Sequence, residues 1–589
     1  MARAGLGHNG TMTQRAFLSV DSSLTGRRWI GPTIEAERLA EAMAQITKLS
    51  LALCATLVAR GVTPAEVPSF LAPQLRDLLP DPLRLADMSK AAARFLHALI
   101  SHQRIAIFAD YDVDGGTSAA LLITWLRAMG AKATLYIPDR IDEGYGPNVP
   151  AMAELGAAHD LIVCVDCGTL SHDPIAAAGC DVIVLDHHLG GDTLPPAYAV
   201  VNPNRQDEPG DLGHLCAASV VFLMLVEANR QLRSQAITGP DLMSMLDLVA
   251  LATVADVAPL IGVNRALVRQ GLKVMARRER IGLRTLADIA RMDQAPTPYA
   301  LGFLLGPRIN AGGRIGQADL GARLLSTDDP HEAAALAERL DLLNTERRDI
   351  EARVREAALE QAASRGLDGP LVWAAGEGWH PGVVGIVAAR LKEATHRPAV
   401  VIGLDGDEGK GSARSISGVD LGAAIHRLAA EGWLIKGGGH KMAAGLTVAR
   451  DKLDEAMARL SDLLARQGAG EGGKADLQID SLLTPSAASH GFIEQIESAG
   501  PFGASAPAPR FAFADMAVTA RRIGESHLRL TFGDGPKLEA IAFGAFDTPL
   551  GAALSEGGHR RFHLAGRLEM NTWGGRSKPQ LRLEDAAVL

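Results

Sequence analysis

Four short apolar runs stand close together in the first half of the chain: IAIFA (105–109), TLYIP (134–138), LIVCV (161–165) and VIVL (182–185). Helix-like segments separate them. The pattern predicts buried parallel strands joined by helical crossovers. Each run ends in an aspartate: Asp110, Asp139, Asp166 and Asp186. In a parallel α/β sheet the carboxyl ends of the strands share one edge, where ligands bind, so these acids can converge on one site. Aspartate also favours strand-to-loop junctions in general, and that explains one or two cases. It does not explain the set of DYDVD, VDCG and DHH.

The first run continues into three carboxylates at alternate positions, Asp110, Asp112 and Asp114, then Gly115-Gly116 and a helical pattern. Such carboxylates repel one another, and a divalent metal is the simplest compensation. Residues 240–256 predict a long apolar helix ending at Asp256. A helix C-terminus disfavours negative charge, so this acid needs a partner.

Before the first strand, residues 30–73 predict amphipathic helices with proline breaks, a helical preface to the sheet. Residues 90–103 predict a further helix. Glycine-rich turns are expected at YIPDRIDEGYG, carrying Arg140, Glu143 and Tyr145, and at PRINAGGRIGQ (307–317), carrying Arg308, Asn310 and Arg314. Both suit phosphate, and both suit an ordinary surface loop. A helix-rich segment, 318–366, connects to a second α/β unit starting at LVWAA (371–375). Its GKGSARS (409–415) and GGGH (437–440) offer Ser412, Arg414 and His440 to a phosphate or nucleotide. ARQGAGEGGKAD (465–476) has the composition of a flexible linker. The tail from 477 alternates short β-like runs with turns and reads as a small barrel. It interleaves Arg521, Arg529, Arg567 and Arg576 with Phe532, Phe543 and Trp573, as suits single-stranded nucleic acid. A structural barrel with core aromatics is the bland alternative.

The length of 589 residues requires three or four domains. A net charge of −9 does not advertise nucleic-acid binding, though bound cations would offset part of it. Five cysteines in apolar runs read as reduced thiols, and neither a membrane span nor a signal peptide is apparent, which together predict a cytoplasmic protein.

Taken in order, ADYDVDG, YIPDRIDEGYG, VDCG, DHH, ATVADVAPL, PRINAGGRIG, GKGSARS and GGGHKMAAG resemble the DHH phosphoesterases, specifically their single-strand-specific 5′→3′ exonuclease branch. The resemblance spans roughly residues 25–589. It implies a parallel-sheet DHH domain, a connecting helix, a second α/β DHH-associated domain and a C-terminal OB-like β-barrel. The expected boundaries are a disordered 1–24, a helical 25–103, the catalytic domain at 104–260 and a helical connection at 261–366. The DHH-associated domain follows at 367–464, the linker at 465–476 and the OB-fold at 477–589.

The resemblance also implies roles. Asp112, Asp114 and Asp166 would hold two divalent cations, Mn2+ or Mg2+, with Asp166 bridging them. His187 and Asp256 would complete the second site, and Asp110 would support the first. His188 would touch the scissile phosphate or help protonate the leaving group, and Asp186 would orient the histidines. Arg140, Ser412 and Arg414 would hold the 5′-phosphate. Tyr145, Arg308, Asn310, Arg314 and His440 would contact substrate. The implied partner is single-stranded DNA with a 5′-phosphate, alongside a RecQ-type helicase and a single-strand-binding protein. A small-substrate phosphoesterase of the same superfamily and a non-catalytic scaffold are the alternatives. The extra helices and barrel count against the first, and the filled ligand positions against the second.

Overall fold

The structure, a computed structural model, describes residues 15–140, 142–470, 476–556, 560–573 and 576–589, with the backbone alone at Trp573. The chain forms two compact units. One comprises residues 75–470 with Gly503–Ser505; the other joins residues 15–74 to 476–502 and 506–589.

The first unit contains the expected parallel sheet, in the order Ala133–Tyr136, Ile105–Ala109, Leu161–Val165, Asp181–Leu185, Ala199–Val201. Every residue of Ile105–Ala109 and Leu161–Val165 is buried, as apolar runs covered on both faces require. Ala109, Val165 and Leu185 lie abreast. The ladder extends one residue further: Asp110 N–H donates to Val165 O, Asp166 N–H to Leu185 O and Asp186 N–H to Val201 O. Three aspartates therefore emerge side by side at one sheet edge. The apolar helix Leu246–Ala255 delivers Asp256 at its C-terminal cap.

A 36-residue helix, Pro330–Arg365, leads to a second, mixed sheet. Its order is Lys436–His440, Ala443–Ala449, Glu408–Arg414, Ala399–Asp405, Val372–Glu377, and only the last pair is parallel. GKGSARS and GGGH are thus strands, not loops. The glycines serve close packing: a Cβ on Gly422 would meet the His440 carbonyl carbon at 2.8 Å.

PRINAGGRIG, expected as a turn, is helical from Gly306 to Ile315. Pro307 sits in its first turn, where a missing N–H is harmless. A Cβ on Gly313 would lie 2.6 Å from Tyr111 O, so glycine lets the helix close on the chain beside the aspartates.

In the second unit, Phe511–Ile523, His527–Phe532, Leu538–Ala542, Arg576–Val588 and Arg561–Trp573 pair in that order, and the last pairs back to the first, completing a circuit. The structure redraws the N-terminal expectation here. Residues 29–59 are not a preface to the parallel sheet. Met43, Leu53 and Leu57 share a core with Phe511, Phe513, Phe532 and Phe562. Trp29–Ile30 pairs in parallel with Leu477–Gln478, and the fully buried Trp29 donates its indole N–H to Asp585 Oδ2 at 2.9 Å. The helix Met88–Ile100 instead packs on the parallel sheet, so the expected 25–103 segment divides near residue 74.

The disordered call at 1–24 meets a similar limit. Residues 1–14 lie outside the described residues, but Val20 is buried beside Trp29 and Ala512. Of the expected linker, 471–475 lie outside the described residues, and Ala469 is buried in the core of the second sheet. Among the expected aromatic contacts in the tail, Phe532 is core. Phe543 is exposed with the Arg582 guanidinium 5.3 Å from its ring centre, and the Trp573 side chain lies outside the described residues.

Candidate active site

Each acid of the cluster is held by a different local device. Asp112 caps the helix Val113–Ala128: its Oδ1 accepts from Asp114 N–H at 2.8 Å and Gly115 N–H at 3.1 Å. Gly115 is required there, because a Cβ would meet Asp110 O at 2.3 Å. Asp114 accepts from Ala217 and Ala218 N–H at 2.7 and 2.8 Å, so the N-terminus of the helix Ala217–Ser234 stabilises its charge. Asp166 adopts φ 61°, an uncommon conformation for a residue with a side chain, found often at functional sites.

His187 stands at the centre. Its Nε2 lies 3.2 Å from Asp166 Oδ1 and 3.7 Å from Asp114 Oδ2, and its Nδ1 lies 3.9 Å from Asp256 Oδ2. Three overlapping donor sets result: Asp110, Asp112 and Asp166; Asp114, His187 and Asp256; and Asp166, His187 and His188. Asp166 belongs to two of them. Asp110 Oδ1, Asp166 Oδ1 and His187 Nε2 are buried without a hydrogen-bond partner among the described residues. Buried polar atoms are normally satisfied. Three orphans converging within one cluster fit a cation, and carboxylate oxygens with imidazole suit Mn2+ or Mg2+ better than a thiolate-seeking metal.

Electrostatics agrees. Burial, then the neighbouring carboxylates, raise Asp110 and Asp166 well above the usual carboxylate range. Burial with Asp114 and Asp112 pushes Asp256 to about 8. Without added positive charge this cluster retains protons.

Asp186 behaves oppositely. Burial alone would raise it, but it accepts from His188 Nδ1 at 2.8 Å and from Thr169 N–H at 3.0 Å, and these bonds hold it far below the usual range. Burial alone would lower His188, yet Asp186 raises it to about 9. Asp186 thus fixes a charged imidazole whose ring lies 4.6 Å from that of His187.

The other sequence-selected residues divide. Asp139 turns away from the cluster: its carboxylate accepts from Asp142 N–H, and Glu143 accepts from Tyr136 and from Asp139 N–H, stiffening the loop that presents Arg140. Tyr145 donates to Asp166 O at 3.0 Å, and its hydroxyl is 3.2 Å from His188, so it props the cluster. The Arg140 guanidinium lies 4.9 Å from the centre of the Tyr111 ring. Arg314 donates to Gly382 O at 3.0 Å. Burial, with Arg140 and Arg347, lowers Arg314 to about 10, and burial with Arg140 lowers Arg414. Arg414 donates to Ser412 Oγ at 2.8 Å, beside the N-terminal turns of the helix Pro381–Thr395.

Arg308 departs from the expectation of a substrate phosphate contact. It is engaged by Asp341 at 2.8 Å and by Leu304 O. Asn310 lies on the same helix as Arg314. His440 is exposed on an edge strand and makes no hydrogen bond to the cluster among the described residues. Residues missed from the sequence are Asn202 and Asn204, which donate to His188 O at 2.8 Å and His187 O at 2.6 Å. Their signal was NPN directly after the apolar AVV, the position the aspartates occupy on other strands.

Comparison with known proteins matches residues 104–253 to the DHH family, N-terminal domain, 368–466 to the DHHA1 domain and 479–585 to the RecJ OB domain. The single-stranded-DNA-specific exonuclease RecJ of Dickeya dadantii is 39% identical over 534 residues, covering 87% of this chain and 92% of the relative. That of Escherichia coli is 37% identical, covering 85% and 90%. The crystal structure of RecJ in complex with Mn2+ from Thermus thermophilus superposes with a TM-score of 0.78 at 30% identity, covering 95% of this chain and 79% of that one. A corresponding structure of that protein contains Mg2+. On sequence, domain order and fold, this chain belongs to the RecJ family.

Proposed function

We propose that the chain is a single-stranded-DNA-specific exonuclease that hydrolyses phosphodiester bonds from the 5′ end, releasing 5′-mononucleotides in DNA recombination and repair. The observation that carries this reading is the convergence of Asp110, Asp166 and His187, each with an orphaned buried atom, beside a charged His188. It is supported by relatives named for that activity. When bound, two divalent cations held by Asp110, Asp112, Asp114, Asp166, His187 and Asp256 would activate water and stabilise the charge that develops on the phosphate. The chain's own groups do the rest. His188, kept cationic by Asp186, faces the phosphate and is placed to donate a proton to the leaving oxygen. Asp114 is fixed by two backbone N–H groups, and Tyr145 holds the Asp166 backbone, so the acids need not rearrange.

Polarity follows from the cationic pocket. Arg140, Arg314 and Arg414 crowd one another, and their mutual repulsion calls for an anion. A terminal phosphate held by Arg140, Ser412 and Arg414 would set the first linkage over the cluster. Removing the 5′-phosphate is expected to weaken binding by about 1.5–3 kcal/mol, the value of a charge-assisted hydrogen bond. Affinities measured on 5′-phosphorylated and 5′-hydroxyl strands check this, and equal values would refute the pocket.

The activity itself is tested by titrating Mn2+ and Mg2+ in assays on single-stranded DNA, duplex DNA and RNA. Degradation confined to single-stranded DNA and dependent on metal is expected. Preference for dinucleotides would favour the small-substrate reading, and no hydrolysis with any metal would favour the scaffold. A RecQ-type helicase that unwinds duplex and a single-strand-binding protein are the partners such an activity calls for. No helix of the described residues is long and apolar enough to cross a membrane, which accords with cytoplasmic action on DNA.

A further inference from the structure

The helix that carries Asn310 and Arg314 begins with an unusual segment. Ala300–Leu305 is a π-helical turn continuous with Gly306–Ile315. Such turns are rare and recur at functional sites. The segment packs closely on the helix Leu246–Ala255, which ends at Asp256: a Cβ on Gly302 would meet Val254 at 3.4 Å, and one on Gly306 would meet Ala255 at 3.5 Å. It therefore borders the acidic cluster.

Tyr299 and Phe303 lie outside that packed side. Their rings are stacked, with centres 4.9 Å apart and planes 21° from parallel. Yet Tyr299 is 56% and Phe303 64% exposed. A pair that served only the core would be buried. Here two large rings are held in register with their apolar surface offered to solvent. Asn310 and Arg314 follow at helical spacing, and Arg314 is close enough to Asp112 and Tyr111 to feel their charge. One helix thus runs from the acidic cluster to an exposed aromatic surface about 20 Å along its axis.

We propose that Tyr299 and Phe303 form a stacking platform for bases of the single strand outside the hydrolytic cluster. The inference rests on the nucleic-acid reading above and adds to it a specific binding surface. Aromatic faces accept any base, which suits an enzyme that must grip every sequence. Arg314, on the same helix, supplies the positive charge that the backbone of such a strand needs, whereas an apolar peptide would gain nothing from it. A platform apart from the hydrolytic groups would alter how tightly a strand is held, not how fast its first linkage is cut.

The test is release of the labelled 5′ nucleotide from 5′-phosphorylated strands that carry one abasic residue at successive positions, with the full chain and Mn2+. For the parent chain, an abasic residue at the platform position is expected to raise KM roughly tenfold with kcat unchanged, as loss of one stacked base would. Phe303→Ala and Tyr299→Ala are expected to raise KM on the intact strand by a similar factor and to become indifferent to that abasic position. Phe303→Trp should restore both. If the alanine variants keep the abasic profile of the parent, the rings do not touch bases and the proposal falls. If the parent chain neither binds nor cuts single strands, the functional reading falls first, and the platform with it.

Discussion

Asp166→Ala is expected to slow hydrolysis of single-stranded DNA by roughly 10³-fold or more, in the range lost when a key electrostatic group is removed from an active site. Asp166 Oδ1 is buried, lacks a hydrogen-bond partner and lies within reach of His187 and His188. Its carboxylate belongs to two of the three donor sets, so one substitution disables both. Alanine is also strained at φ 61°, and Asp166→Asn provides the control: asparagine tolerates that conformation and keeps the shape but not the charge. Both variants should still bind single strands, because the arginine pocket is untouched. First-nucleotide release and strand binding, measured on the same preparations, decide the matter. Activity within about tenfold of the parent for either variant would remove Asp166 from the centre of the mechanism.

The largest effect on stability is expected from Trp29→Ala. The side chain is fully buried, and truncation of buried tryptophan costs about 3–5 kcal/mol. Its loss also removes a hydrogen bond to the buried Asp585, leaving that carboxylate to Arg27 at 3.5 Å and the Ala586 N–H. The unit containing the C-terminal strands should melt earlier, while first-nucleotide release from very short strands continues, because every proposed metal ligand lies in the other unit. Differential scanning calorimetry beside that assay is the check. An unchanged thermogram would mean that the Trp29 contact contributes nothing to that unit. By the same logic, deleting residues 477–589 alone is not a clean cut. It would strip Met43, Leu53 and Leu57 of their partners.

The acidic cluster was legible in the sequence because each acid directly follows an apolar run or closes an apolar helix. Strand register does the remaining work, and register in a parallel sheet follows from which residues are buried. The N-terminal segment was not legible in the same way. Its periodicity says that Met43 and Leu53 face a core, but nothing local says that Phe513 and Phe532, more than 450 residues later, supply it. PRINAGGRIG misled for a different reason. Glycine marks either a turn or a close approach, and only the proximity of Tyr111 O to Gly313 chooses between them. Arg308 could not be told from Arg314 by sequence, because the acid that engages it, Asp341, lies on another helix.

The pairing of Trp29–Ile30 with Leu477–Gln478 also has a meaning in time. Synthesis delivers the first partner and then about 400 residues more before the second, an interval of roughly 20–80 s at ribosomal rates. Throughout it the parallel-sheet unit can complete itself from contiguous chain, while the apolar face built around Met43, Leu53 and Leu57 stays open. The nascent chain therefore presents a chaperone-binding surface at its leading end until its last segment emerges. Slow translation of the middle of the chain would lengthen that exposure and favour aggregation through the N-terminal helices rather than through the catalytic sheet.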